Sequence, residues 1–330
     1  MDAARRWLEK SPYAQQLGVQ LEELTPSAAR LLLPYRDENT NPGRALHGGV
    51  AASLVALGAQ SLARASLGEA SGPWHTCALQ VSYLAAAIGE AVAARATLLR
   101  KGKELCFIEV ELETPDGKQI AHGTATVRGR FGAPEPTVPL VIGEDAPGDP
   151  GPLGPHVART PFMGRLGIHV EHMRNAQSRI LLPLGEHNTD EGRGVHEGAV
   201  LALLDTTGAM AAWALTGPGG FKASTPSMQA QILVPPPRSD LVAYGNVVHR
   251  DRELFWCDVE VGSVPERRLI ARGTVVYRIV GTEGSPSLNR RQGLRSPRGM
   301  ETALASNLRE AGAPSRSMNP TAFADAAFWA

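Results

Sequence analysis

Apolar and polar positions divide the chain into runs of three kinds. Residues 17–33 alternate and are rich in Leu, which predicts a first strand, and a polar loop, YRDENTNPGRAL, follows it. Residues 47–65 then read GGVAASLVALGAQSLARA after the opening His47, a stretch that is helical by composition. Nearly every face of that helix is small or apolar, which a surface helix would not tolerate, so it should be enclosed by its own domain. Strand-like runs follow at 76–84, 91–100 with 104–113, and 119–128, separated by Gly and Pro turns. The predicted order is a strand, a buried helix, then a β-meander.

The whole pattern occurs twice. Residues 11–128 recur downstream at an offset of 149. SPYAQQLGV at Ser11 returns as TPFMGRLGI at Thr160, HGG at His47 as HEG at His196, and KELCFIEV at Lys103 as RELFWCDV at Arg252. One inserted residue in a predicted hairpin tip then moves the offset to 150, so that IAHGTATVR at Ile120 pairs with IARGTVVYR at Ile270. Two long copies do not make a solenoid; they make a duplicated domain, a fused pseudo-dimer in which each half replaces one subunit of a symmetric ancestor.

The expected organisation is an N-terminal domain at 1–130, a Pro- and Gly-rich linker at 131–158 with extended, helix-free chain, a C-terminal domain at 159–280 and a disordered tail at 281–330 whose end, FADAAFWA, could form a short docking helix. Balanced charge, with 33 basic and 33 acidic residues, argues against nucleic acid as a partner. The apolar stretch 199–215 has Asp205, Thr206 and Thr207 at its middle, which argues against a membrane span. No secretory signal is readable at the N-terminus, and three cysteines without CxxC spacing suggest neither a disulfide framework nor a zinc ribbon, so the cytoplasm is the expected location.

A helix opened by HGG inside this element order resembles the hotdog-fold thioesterases, and their PaaI-like branch in particular. The resemblance covers 11–130 and 160–280. Its most specific element is an acid nine residues after the His, which the second copy supplies as HEGAVLALLD, His196 to Asp205. The first copy keeps NPGRALHGG but has Ala56 where the acid belongs. The resemblance implies an α+β fold of two tandem hotdog domains, each an antiparallel sheet wrapped around a central helix. It also implies acyl-coenzyme A thioesterase activity with no cofactor beyond the coenzyme A of the substrate.

Asp205 stands out from the residues alone, because a carboxylate inside an apolar helix is costly unless it is solvated, paired or used. A structural Asp bonded to Thr206 or a nearby loop is the plain alternative. The resemblance gives it one of two roles: activating a water as general base, or attacking the thioester to form a transient anhydride. A hydrolase of this kind also needs donors for the developing oxyanion, and Gly48 and Gly49 at a helix start qualify, unless they serve only a tight turn. His47 could orient the thioester or cap the helix. Asn41 fits a polar loop position of the family, and Thr225 a hydroxyl position that holds water or substrate. Arg128 and Arg278, with Lys101 and Arg250 also available, are candidates for the coenzyme A phosphates, unless they serve only solubility.

In hotdog dimers the acid of one subunit faces the helix start of the other. Asp205 should therefore meet His47, Gly48 and Gly49, while the reciprocal site, Ala56 with His196, Glu197 and Gly198, should be dead. Glu197 could supply an unorthodox acid there, but an exposed residue favoured by the helix dipole is the expected reading. A hydratase of the same fold fits less well, since the next His lies five residues beyond Pro42. A non-catalytic acyl-coenzyme A sensor is the alternative from another class. Metal is not expected: His169 and His172 lie three apart on a predicted strand and point to opposite faces. The chain is expected to pair as a homodimer of double hotdogs.

Overall fold

The computed structural model of the protein describes residues 2–130, 139–140, 142–143, 147–191 and 194–281. The expectations of a disordered tail and a C-terminal docking helix lie outside the described residues. Helices α1 (Asp2–Lys10) and α2 (Pro12–Leu17) precede the hairpin β1 (Gln20–Leu24) and β2 (Ala28–Leu33), the long helix α3 (Gly48–Leu67), and strands β3 (Trp74–Tyr83), β4 (Val92–Lys101), β5 (Leu105–Glu113) and β6 (Gln119–Gly129). The order then repeats: α4 (Gly154–Val157), α5 (Pro161–Leu166), β7 (His169–Arg174), β8 (Gln177–Leu182), α6 (Glu197–Thr216), β9 (Phe221–Ile232), β10 (Leu241–Arg250), β11 (Leu254–Ser263) and β12 (Leu269–Gly281).

All strands belong to one antiparallel sheet in the order β1-β2-β4-β5-β6-β3-β9-β12-β11-β10-β8-β7. The halves join where β3 pairs with β9, and there Gln80 lies opposite Gln229, its own repeat counterpart, with Leu79 opposite Ala230 and Val81 opposite Met228. A pseudo-two-fold axis therefore runs through that pair, as in a symmetric dimer fused end to end. Each half wraps its sheet around its long helix. Both helices are long and apolar enough to cross a bilayer, and 89% of each apolar window is buried in the protein.

The two helices also touch each other. A Cβ on Gly49 would come within 2.6 Å of the Ala202 backbone, and one on Gly198 within 2.9 Å of Ser53 Oγ, so each glycine is needed for close approach of the partner helix. The pairs are symmetry-related. This crossing sets α3 and α6 so that the start of one lies beside the middle of the other.

Two expectations need correction. Residues 17–33 are not a single strand: Pro12 opens the short helix α2, Gly18 ends it in the left-handed region at φ +82°, and Thr25, Pro26 and Ser27 turn a β1–β2 hairpin. The Pro-to-Gly frame recurs at Pro161 and Gly167 (φ +70°), and it is a helix start and stop rather than strand sequence. The linker is not helix-free either, since Gly154–Val157 form one helical turn with Pro155 at its start, where the missing N–H costs nothing.

Candidate active site

The loop before α3 and the middle of α6 meet in a cavity of about 780 Å³ lined by Asn41, His47, Gly48, Tyr83, Asp205, Thr206, Thr225, Tyr277 and Arg278, among others. His47 is the N-cap of α3. Its Nδ1 accepts the Gly49 N–H at 2.9 Å, and its own N–H donates to the Asn39 carbonyl at 3.0 Å. Burial drives its pKa down to about 3, so the ring is neutral and carries its proton on Nε2. The first glycine keeps a free amide: the Gly48 N–H has no acceptor among the described residues. It is one of the unpaired donors at a helix start, where the macrodipole favours negative charge.

Asp205 lies against Gly48 from the other half. A Cβ on Gly48 would lie 2.7 Å from Asp205 Oδ2, so only glycine leaves the carboxylate its place. The other oxygen, Oδ1, accepts a hydrogen bond from Thr225 Oγ1 at 3.0 Å. Asp205 is 4% exposed, and burial, opposed only by the Thr225 bond, raises its pKa from 3.8 to about 6. Such a carboxylate is ionised at neutral pH yet basic enough to take a proton from water. Two tyrosines crowd it. Burial first and the Asp205 charge second push the Tyr83 phenol well above its usual pKa, and Tyr277 moves the same way through burial.

The residues singled out from the sequence are thus divided. Asn41, His47, Gly48, Asp205, Thr225 and Arg278 line one cavity. Gly49 does not offer a donor to it, because its amide is consumed by His47 and its missing side chain makes room for Ala202. Arg278 is present at the rim, paired with Glu253 at 2.8 Å. Arg128 lies elsewhere: it pairs with Glu104 at 3.6 Å and sits near the reciprocal helix start, as the two-fold requires of Arg278's counterpart. Tyr83 is a cavity residue the sequence reading missed, and the signal was a single difference between the copies, Tyr83 against Ile232.

The reciprocal position is built differently from expectation. Glu197 is not exposed at the start of α6 but 9% accessible and fully engaged. One carboxylate oxygen accepts from His75 Nδ1 at 2.9 Å, the other from Gln60 Nε2, and the Thr76 N–H lies 3.3 Å from both. The other ring nitrogen of His75 donates to the Ile232 carbonyl at 2.7 Å. Both nitrogens face acceptors, so His75 is an imidazolium. Burial opposes its charge, and the hydrogen bond and charge of Glu197 outweigh that to raise its pKa; burial likewise opposes Glu197, and His75 brings it below the usual range. Arg64 packs nearby over the Trp7 ring at 3.8 Å and the Trp74 ring at 4.8 Å. Among the described residues no group of His, Cys, Asp and Glu could hold a metal ion.

Comparison with known proteins gives a consistent setting. Residues 36–128 match the family model of the acyl-CoA thioesterase N-terminal domain. The chain is 33% identical over 118 residues to a protein of Halobacterium salinarum named "putative esterase", covering 34% of this chain and 78% of that protein. Among solved structures, it is similar to a conserved protein of unknown function with a hot dog fold from Alicyclobacillus acidocaldarius (TM-score 0.58, 17% identity, 80% of this chain and 96% of that one). It is also similar to the tesB protein of Mycobacterium avium subs paratuberculosis (TM-score 0.56, 12% identity, 84% and 99%).

Proposed function

The chain belongs to the hotdog-fold thioesterases, and from that premise we propose that it hydrolyses acyl-coenzyme A thioesters at a single site per chain, where Asp205 of the second half meets the Gly48 amide of the first. The observation that carries this reading is the juxtaposition of a buried carboxylate and a glycine with an unpaired helix-start N–H in the lining of one open cavity.

In the proposed reaction the thioester carbonyl oxygen lies at the Gly48 N–H. Asp205 takes a proton from a water, whose oxygen attacks the carbonyl carbon. The resulting oxyanion is held by the amide and the positive end of α3. Collapse breaks the C–S bond, the carboxylic acid forms, and the proton on Asp205 passes to the departing thiolate. Thr225 holds Oδ1 so that Oδ2 is free to face the reacting centre. Asn41 and the neutral His47, with its Nε2 proton, are donors available for the water or thioester. Arg278, at the rim, is placed to meet a phosphate of coenzyme A on release from Glu253.

A panel of acyl-coenzyme A esters with wild type and Asp205→Asn tests the proposal. The expected result is turnover by wild type, with kcat/KM rising with pH through about 6 as Asp205 ionises. The variant should lose roughly a thousandfold in kcat and still bind ester. Equal turnover by the variant would end the mechanism. Ester binding without turnover by wild type would favour the sensor.

A further inference from the structure

We infer that Tyr83 is a positioning residue that holds the oxyanion donor of this site in place. The inference rests on the proposed thioester hydrolysis, since it concerns the same Gly48 amide.

A free N–H stabilises an oxyanion only if it points at the oxyanion before the charge forms, and glycine is the residue least able to hold one direction by itself. The peptide plane that carries the Gly48 N–H is set on one side by the His47 carbonyl, which accepts the Val50 N–H at 2.9 Å and the Ala51 N–H at 3.1 Å, and Gly48 has three further restraints around it. Before it, the His47 N–H is bound by the Asn39 carbonyl; after it, the Gly49 N–H is bound by His47 Nδ1. On the far side of Gly48, its carbonyl accepts the Tyr83 hydroxyl at 3.1 Å, which anchors the following peptide plane and so limits rotation about the Gly48 dihedrals that aim its N–H. The first two restraints recur in the other half, where the His196 N–H binds the Asn188 carbonyl and the Gly198 N–H binds His196 Nδ1.

The third restraint does not recur. The repeat places Ile232, without a hydroxyl, opposite the helix that begins with Glu197. There the first helical residue has a Cβ and a side chain fixed by three donors, and it needs no outside anchor. The tyrosine hydroxyl thus occurs at the helix start with the bare glycine and the open cavity. Tyr83 reaches it from the end of β3, so the same strand that seals the two halves together also ties down the donor.

The test compares Tyr83→Phe, which keeps the ring and removes the hydroxyl, with Tyr83→Ile, the residue the other half already accommodates. Steady-state kinetics on an acyl-coenzyme A ester cleaved by wild type should show kcat reduced about tenfold in both, with KM within about twofold, because a donor that wanders is missed in the transition state more than in the ground state. The pH midpoint of kcat/KM should not move, since the hydroxyl is bound to Gly48 and not to Asp205. Unchanged kcat in Tyr83→Phe, or a raised KM at constant kcat, would overturn the inference while leaving the thioesterase reading intact. A wild type that cleaves no ester would overturn both.

Discussion

The starts of α3 and α6 occupy equivalent places in one two-fold frame, and they have opposite characters. Each is capped by a His whose Nδ1 accepts the N–H two residues on, and each presses a glycine against the partner helix. Around the first, the chain places Gly48, Asp205, Ala209, Ala223 and Ser224; around the second, the same repeat positions hold Glu197, Ala56, Gln60, Trp74 and His75. Small residues leave the first a cavity, and large polar and aromatic ones fill the second. The carboxylates differ for the same reason. Glu197 receives two side-chain donors and a backbone N–H, enough to offset desolvation and keep its pKa low. Asp205 receives one hydroxyl, which is too little, and its pKa rises. Equivalent helix starts of a duplicated fold can thus border an open cavity in one half and carry a buried ion pair in the other.

The sharpest way to break this comparison is to remove the ion pair. Glu197→Ala leaves Nδ1 of His75, 1% exposed, without its acceptor and Gln60 Nε2 with Thr76 Oγ1 alone, and breaking a buried pair from one side costs about 3–5 kcal/mol. Urea unfolding at pH 6 should show a loss of that size, with turnover by the remaining folded protein within a few fold of wild type. The deficit should shrink as pH rises through the raised pKa of His75, where wild type itself loses the imidazolium. A loss under about 1 kcal/mol would mean that the network contributes nothing beyond filling space.

Asp205→Asn gives the next largest effect, with the opposite sign. Because the folded pKa of about 6 exceeds the ordinary 3.8, the protonated carboxyl is favoured by folding; stability is highest below 3.8 and is lost as pH rises through about 6. About two pKa units correspond to about 3 kcal/mol. The variant should therefore be about 3 kcal/mol more stable than wild type at pH 8, and the gap should close toward pH 4. A pH-independent gap would mean that Asp205 is not held in a desolvated place, and the account of its basicity would fail with it.

These contrasts explain which parts of the molecule were legible in the sequence. The duplication, the buried helices and the meander strands follow from periodicity and composition, because a helix apolar on all faces has to be enclosed. Asp205 was legible because a charge in such a helix violates that pattern. The α2 and α5 helices were not, because six residues carry too little periodicity, and only Pro12 with Gly18 and Pro161 with Gly167 mark them. The Gly49 amide is taken by a local bond, since an N-cap side chain accepts from the second helical N–H, and that rule separates Gly49 from Gly48 once His47 is recognised as the cap. The assignment of Glu197 required a tertiary contact, because nothing local distinguishes an exposed Glu from one facing His75 across the fold. Arg128 shows the converse. Its counterpart Arg278 reaches the cavity rim, and only the two-fold reveals that Arg128 must then stand at the filled site.

The smallest expected change is in the turnover of Ala56→Asp, which restores the acid missing from the first copy. Sequence logic would make this a second active site. Three features of the structure argue that it does not. Glu197 stands where the substrate's carbonyl would need a bare amide, Trp74 and Gln60 fill the space that Ala223 and Ala209 leave open, and Arg64 is stacked across both Trp7 and Trp74. The new carboxylate would also enter a place that is 1% exposed and lies, by the two-fold, beside a carboxylate already ionised, so it would take up a proton and weaken the fold. Turnover per folded chain, measured against an active-site titration, should stay within about a fifth of wild type, because neither Asp205 nor Gly48 is touched by the change. A doubling would show that the ion pair yields to substrate and that the second site is merely unequipped, not closed.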